Sequence, residues 1–315
     1  MGKKQKMLFD EDILVALEKA ADKSERTRSS FWKTELEDFS FTAKGEMTGL
    51  IPVGSISKKY SQIHKAAHWL LQWPYRYIVR KSHNFGECYD LAKFIAEGQE
   101  RAVTLDMVRQ TLGLAVIKDN LDVKGLEGIN LVIGDGYGVM TSLLKLSYSE
   151  TKIVTVNLTT PLLMDLVYAR KAIPSLRIAL PTNQVEMMDA LNQNDIDVIA
   201  IQADNSKLIA EANVGLAVAL HSMQEMTNSV IKSYFDLLRG NKNDRTAFYC
   251  LNRIYKQLYD GEEIKFFDFP WSLNDTVLFD EVCRWNNFEY EPKPPFWFRN
   301  PNQKQHRLVI LEKLT

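Results

Sequence analysis

The stretch that most constrains this chain is Ile129 to Leu144, INLVIGDGYGVMTSLL. Its apolar run, Ile129 to Ile133, predicts a short strand covered on both faces. The run enters Gly134, Gly136 and Gly138 directly, and Val139, Met140, Leu143 and Leu144 then recur at helical spacing. A strand that turns through alternating glycines into a helix brings bare backbone close to a ligand at a helix N-terminus. That is the nucleotide-binding corner of an open α/β sheet. The dinucleotide spacing G-x-G-x-x-G fails, because Val139 or Thr141 stands where its third glycine belongs. A P-loop fails too, since no Gly-Lys-Ser/Thr closes the turn. G-x-G-x-G remains, with a glycine-rich turn that holds no ligand as the plainer alternative.

The chain changes character near residue 120. Before it, aromatic-rich helical patterns dominate: Leu8 to Ala21, a dense stretch over 61–81, Cys88 to Ala96 and Leu105 to Val116. After it, short apolar runs alternate with helical ones, the signature of a parallel sheet. The strands expected are Ile129–Ile133, Lys152–Val156, Leu176–Leu180, Ile196–Ile201, Val214–Leu220 and Ala247–Leu251. Pro161 is expected at the first position of a helix, a second helix near Gln184–Leu191, a third over about Glu225–Leu238 and a fourth over Val277–Trp285. The tail reads as two strands joined by a polar loop. The expectation is therefore an α/β fold, a doubly wound, mostly parallel sheet with an antiparallel C-terminal hairpin, spanning 121–315. A mostly helical region, 1–120, would cap it and bind substrate.

Composition narrows the function classes. Of 315 residues, 45% are apolar and 25% charged, which suits a packed core. A net charge of −1 argues against general nucleic-acid binding. Cys88, Cys250 and Cys283 are too few and too far apart for a disulfide framework or a zinc site, so a reducing cytoplasm is the default. The N-terminus has no apolar signal core, Lys6 stands where a myristoylation signal has Ser or Thr, and no run is long enough to span a membrane. His64 and His68 share a helix face but lack an acidic third ligand, so packing histidines are preferred and no metal is expected. A homo-oligomer is compatible with all of this.

With these motifs in place, the chain resembles the class I S-adenosylmethionine-dependent methyltransferases, whose first motif is matched by Gly134, Gly136 and Gly138. Within them it is similar to a family of sugar O-methyltransferases. That family carries a Ser-x-Gln-Glu-Met segment, here Ser222 to Met226, then an Asn-Arg pair, Asn252 and Arg253, and then Pro270–Trp271. The likeness covers residues 125–315, and Phe31–Lys33 extends it. It implies S-adenosylmethionine as cofactor, held by Gly134, Asp135, Gly136, Gly138, Asn157, Leu158 and Asp204. Asp135 would lie near the methionine amine and Asp204 near the adenine amine. Asp204 reads equally as a strand-end cap, and if Leu176–Leu180 is the third strand it lies elsewhere.

Two positions depart from the family pattern. Val132 stands where many members have an acid, and Asn157 replaces the usual Asp or Glu at the ribose. Asn accepts without the charge that strengthens such a bond. Weaker cofactor binding, or a non-catalytic binding or regulatory relative, follows from both.

Transfer to a hydroxyl needs the acceptor oxygen in line with the methyl group and a base for its proton. His221 ends a strand on the ligand-binding edge and is the candidate base, with Glu225 orienting it or the sugar. The plainer alternative is that Gln224 and Glu225 cap a helix. Gln224, Asn252, Arg253 and Trp271 are candidate sugar contacts, Trp271 with Phe266, Phe267 and Phe269 as an aromatic wall. A different small-molecule acceptor would share the same cofactor site.

Overall fold

The computed structural model describes residues 8–9, 11–21, 25–49, 61–79, 81–123, 126–291 and 294–313. The expectation that falls on Lys6 lies outside them. Nine strands form the main sheet: β1 (Leu8–Phe9), β2 (Ile129–Ile133), β3 (Ile153–Asn157), β4 (Ile178–Leu180), β5 (Val198–Gln202), β6 (Val214–Leu220), β7 (Arg245–Arg253), β8 (Thr276–Val282) and β9 (Lys304–Glu312). Their order is β1-β4-β5-β3-β2-β6-β7-β9-β8. From β4 to β7 every pairing is parallel, while β1, β9 and β8 pair antiparallel with their neighbours. This is a doubly wound α/β sheet with an antiparallel C-terminal pair. Reversal of strand order beside β2 makes the crevice above its C-terminal end the ligand position.

Among the described residues ten α-helices accompany it: α1 (Glu11–Ala20), α2 (Ser30–Glu35), α3 (Gln62–Leu71), α4 (Trp73–Ile78), α5 (Phe85–Gly98), α6 (Leu105–Asn120), α7 (Val139–Ser147), α8 (Thr159–Ala172), α9 (Gln184–Asn192) and α10 (Asn228–Gly240). Alternation along each strand sends side chains to two cores. Val132, Ala200 and Val218 share one core with α1 and α5–α8. Leu131, Ile199 and Phe248 face α9, α10 and the Phe266–Trp271 turn. The first core runs continuously from Ile13 to Ile310, so the N-terminal helices and the sheet share it. Thr104 and Thr227 cap α6 and α10 by accepting from Met107 N and Val230 N, satisfying amides that a helix start leaves unpaired.

Four expectations change. Leu8–Phe9 pairs with β4 instead of opening α1. α8 starts two residues before Pro161, which still lies in the first turn, where a missing N–H removes no internal bond. Val277–Trp285 is not helical: pairing of Thr276–Val282 with β9 outweighs a weak local pattern. The third helix begins at Asn228, after a 3₁₀ turn at Met223–Glu225. The order also places Ile196–Ile201 beside β3, with Ile178–Leu180 an additional strand outside it. Asp204 therefore follows the strand adjacent to β3.

Candidate functional site at the glycine corner

The loop from β2 to α7 turns through left-handed backbone at Gly134, Gly136, Tyr137 and Gly138, with φ of 70°, 79°, 60° and 60°. At two of these positions space also demands glycine. A Cβ on Gly134 would lie 2.5 Å from Ser222 Cβ, and one on Gly138 would lie 2.2 Å from the Asp165 carbonyl oxygen. Beside the loop is a cavity lined by Gly134, Gly136, Asn157, Leu158, Ala203 and His221, and closed by Thr27 and Trp32 of the N-terminal segment. It offers about 110 Å³ for the centres of water-sized atoms, many times the roughly 10–15 Å³ that one water needs. An organic ligand fits the setting.

Asp135 does not face that cavity with its carboxylate. The side chain turns inward and accepts from Met140 N (2.7 Å) and Thr141 N (2.8 Å), supplying the cap that Gly138 cannot. Asp135 still lines the cavity, but the carboxylate expected near a methionine amine is already held by these two amides. Asp165, inside apolar α8, accepts from Gly138 N (3.3 Å) and from Asn157 Nδ2 (2.9 Å). Burial pushes both carboxyls above their usual range, and Asp135 pushes Asp165 further. Asn157 uses its other amide atom at home: Oδ1 accepts from Leu158 N at 2.9 Å. The ribose position of the expectation is thus an amide already tied to the acid pair below.

Asp204 is engaged by the N-terminal segment. It accepts from Arg26 N (3.0 Å), Thr27 N (3.0 Å) and Thr27 Oγ1 (2.9 Å). Burial alone would raise its carboxyl, but these bonds together hold it below the usual range. Glu25 Oε1 accepts from Thr159 N and Oγ1, both at 2.8 Å, at the start of α8. Ser29 donates to the Glu225 carbonyl at 2.5 Å. Residues 25–32 thereby lie across the ligand edge of the sheet on three anchors.

His221 follows β6 with φ 64°, a strained value for a residue with a Cβ. Both ring nitrogens are shielded from solvent without a geometrically sound hydrogen bond. Burial, then Lys304, Arg109 and Arg253, hold the imidazole well below its usual range, with the Asn286 side chain opposing them. Glu225 does not orient it. Its carboxylate lies 3.6 Å from Lys256 Nζ, and burial raises it against that partner.

The sugar contacts also move. Gln224 and Asn252 are buried and clamp two elements: Gln224 N donates to Asn252 Oδ1 (3.0 Å), and Arg253 N donates to Gln224 Oε1 (2.8 Å). The Ser-x-Gln-Glu-Met and Asn-Arg motifs thus fix the His221–Ser222 turn against β7. Trp271 packs with Phe235, Phe248, Phe266 and Phe269, donates to the Phe266 carbonyl, and lies under Arg307 at 4.5 Å. It is a core aromatic, away from the cavity lining. Arg253 alone of the four keeps an unpartnered buried donor, Nε. His64 pairs with Ser61 and His68 with Tyr290, and among the described residues no cluster of metal ligands occurs.

Sequence reasoning missed Glu25, Thr27, Arg109, Asp165, Asn286 and Lys304. Only Asp165 carried a signal, an acid inside the apolar run LLMDLVY.

No family model and no curated protein matches this chain. Among solved structures it is similar to coclaurine N-methyltransferase bound to N-methylheliamine and SAH, at 10% identity and TM-score 0.40 over 79% of this chain and 93% of that one. It is similar also to a structure described as "Conversion of a Disulfide Bond into a Thioacetal Group during Echinomycin Biosynthesis", at 10% identity and TM-score 0.37, over 65% and 82%. A third is TrmN from Thermus thermophilus, at 13% identity and TM-score 0.34, over 65% and 49%. Likenesses this distant leave the chain's own geometry to carry the chemistry.

Proposed function

We propose that this chain is an S-adenosylmethionine-dependent methyltransferase acting on a hydroxyl of a sugar or glycan precursor. One observation carries the reading. The left-handed G-x-G-x-G loop and the C-terminal ends of β3 and β5 border a single cavity at the point where strand order reverses. The cofactor would supply a methyl group on a sulfonium. Gly134 and Gly136 would lie along its amino-acid end, Asn157 by the ribose, and Leu158, Ala203 and Val230 along the base. His221, on the cavity wall, would take the acceptor proton. Trp32 and Thr27 would exclude water from above. Three buried free thiols suit a reducing cytoplasm.

A second reading is a non-catalytic relative that keeps the fold as a binding partner. It is favoured by Val132, fully inside the core, and by Asn157, whose amide is engaged within the protein. Calorimetric titration with S-adenosylmethionine separates the two. The enzyme reading expects binding, and silence at millimolar cofactor would remove it. Methyl-labelled cofactor with a panel of nucleotide sugars then tests the acceptor, and product from another small molecule alone would overturn the sugar assignment.

A further inference from the structure

Behind His221 the ligand edge of the sheet holds three cations with little to balance them. Arg253 ends β7 and Lys304 opens β9, directly opposite each other in register. Arg109 reaches the same place from α6, and all three charges face His221. Lys304 is 5% exposed, and among the described residues its ammonium makes one hydrogen bond, a 3.4 Å contact with Asn286 Oδ1. Arg109 is 7% exposed; it donates to the Phe288 carbonyl at 3.2 Å and touches Asp106 and Glu289 only at 3.5 Å, and both acids are partly in solvent. Arg109 Nε, Arg253 Nε and both His221 nitrogens are buried without partners. Among the described residues no carboxylate lies within ion-pair distance of Lys304 or Arg253. A buried charge without a close partner is costly to the fold, and a bound counter-charge relieves it. Donors this concentrated, met only by two carbonyl oxygens and two distant, partly solvated acids, suit an anion.

We propose that Lys304, Arg253 and Arg109 bind an oxyanion, a carboxylate or phosphate carried by the methyl acceptor, and hold it beside His221. The assignment to an acceptor rests on the methyltransferase reading; the anion site itself does not. Its pH dependence follows from Lys304. Burial first, then Arg109 and Arg253, lower its ammonium to about 7, with Glu289 and Asp106 opposing. His221, Cys283 and Asn286 are the remaining polar groups around it. The anion needs the charged form, so binding is full below pH 7 and fades above it. Between pH 6 and pH 8 the affinity should fall about tenfold by linkage.

The test is calorimetry and thermal melting without cofactor. The probes are acetate for the carboxylate arm and inorganic phosphate and sulfate for the phosphate arm, at matched ionic strength. Acetate and sulfate serve for the pH series, because neither changes charge between pH 6 and 8. The expected result is binding of one arm with proton uptake, about tenfold weaker at pH 8. Lys304→Met should weaken it at least tenfold and abolish the pH dependence, and Arg253→Gln should weaken it at every pH. Absence of binding in the wild-type protein overturns the proposal, as does binding that neither substitution nor pH alters. The wild-type pH series stands even if a variant folds poorly. A protein that binds the anion in this way but no S-adenosylmethionine keeps the site and loses only the acceptor assignment.

Discussion

Removing the Asp204 carboxylate should loosen residues 25–32 by an amount that the structure sets. The carboxylate accepts three hydrogen bonds from Arg26 and Thr27, between 2.9 and 3.0 Å. At about 0.5–1.5 kcal/mol each, discounted toward the low end because the Asp204 side chain is 24% exposed, the three are worth roughly 2–3 kcal/mol. Asp204→Ala forfeits them. Glu25 on Thr159 and Ser29 on Glu225 remain, so the segment should stay docked but open more often. Hydrogen exchange reads this directly: the amides of Arg26 and Thr27 should exchange about 30- to 150-fold faster, with β2 and β6 unchanged. In the wild-type protein the same tether should persist above the ordinary carboxyl range and fail only as pH falls through the lowered Asp204 value. Exchange at these amides unaltered by the substitution would refute the reasoning and assign the docking to Glu25 and Ser29 alone.

Other perturbations have equally definite signs. Gly138→Ala places a Cβ 2.2 Å from the Asp165 carbonyl in left-handed backbone, and should cost more than about 2 kcal/mol in urea unfolding. Arg239 and Asp275 form a buried bidentate pair at 2.7 Å, and Arg239 also donates to the Pro270 and Glu312 carbonyls. Arg239→Met leaves that carboxylate unpaired and should cost about 3–5 kcal/mol in the same assay. Asp135 and Asp165 both have raised folded values, so ionising them weakens the fold as pH climbs above the unfolded value of 3.8. Asp165→Asn, which removes one of the two charges, should therefore gain stability relative to wild type between pH 4.5 and pH 8. A difference independent of pH would remove the acid pair as its cause.

The glycine corner was legible because strand, turn and helix each leave a strong local signature, and all three agree over sixteen neighbouring residues. The outer strand Ile178–Leu180 was legible as a strand but not in position, since order within a sheet is decided by packing that local pattern does not encode. Val277–Val282 was misread because an edge strand of mostly exposed residues has no buried face to impose alternation. Asp165 read as any acid on a helix, and only the burial of nearly the whole helix reveals the hydrogen bonds beneath the loop. Gln224 and Asn252 were noticed for their motif, yet the motif turns out to clamp the turn that presents His221. Arg109, Arg253 and Lys304 meet only because three distant elements end at one edge, and spacing along the chain carries no trace of that.

That meeting bears on the proposed role of His221 as a base. An imidazole facing three cations resists a proton, and each unit by which its value is lowered adds about 1.4 kcal/mol to the transfer. An oxyanion seated on Lys304, Arg253 and Arg109 cancels the repulsion that comes second only to burial in lowering it. The acceptor would then restore the base that deprotonates it, so a neutral analogue that still enters the cavity should lose kcat beyond any rise in KM. Lys304→Met, which removes one repelling charge, should narrow the gap between anionic and neutral acceptors from both sides. The kcat for the neutral one should rise as that for the anionic one falls. If the discrimination against neutral acceptors lies entirely in KM, the cations only bind the acceptor and His221 takes no proton.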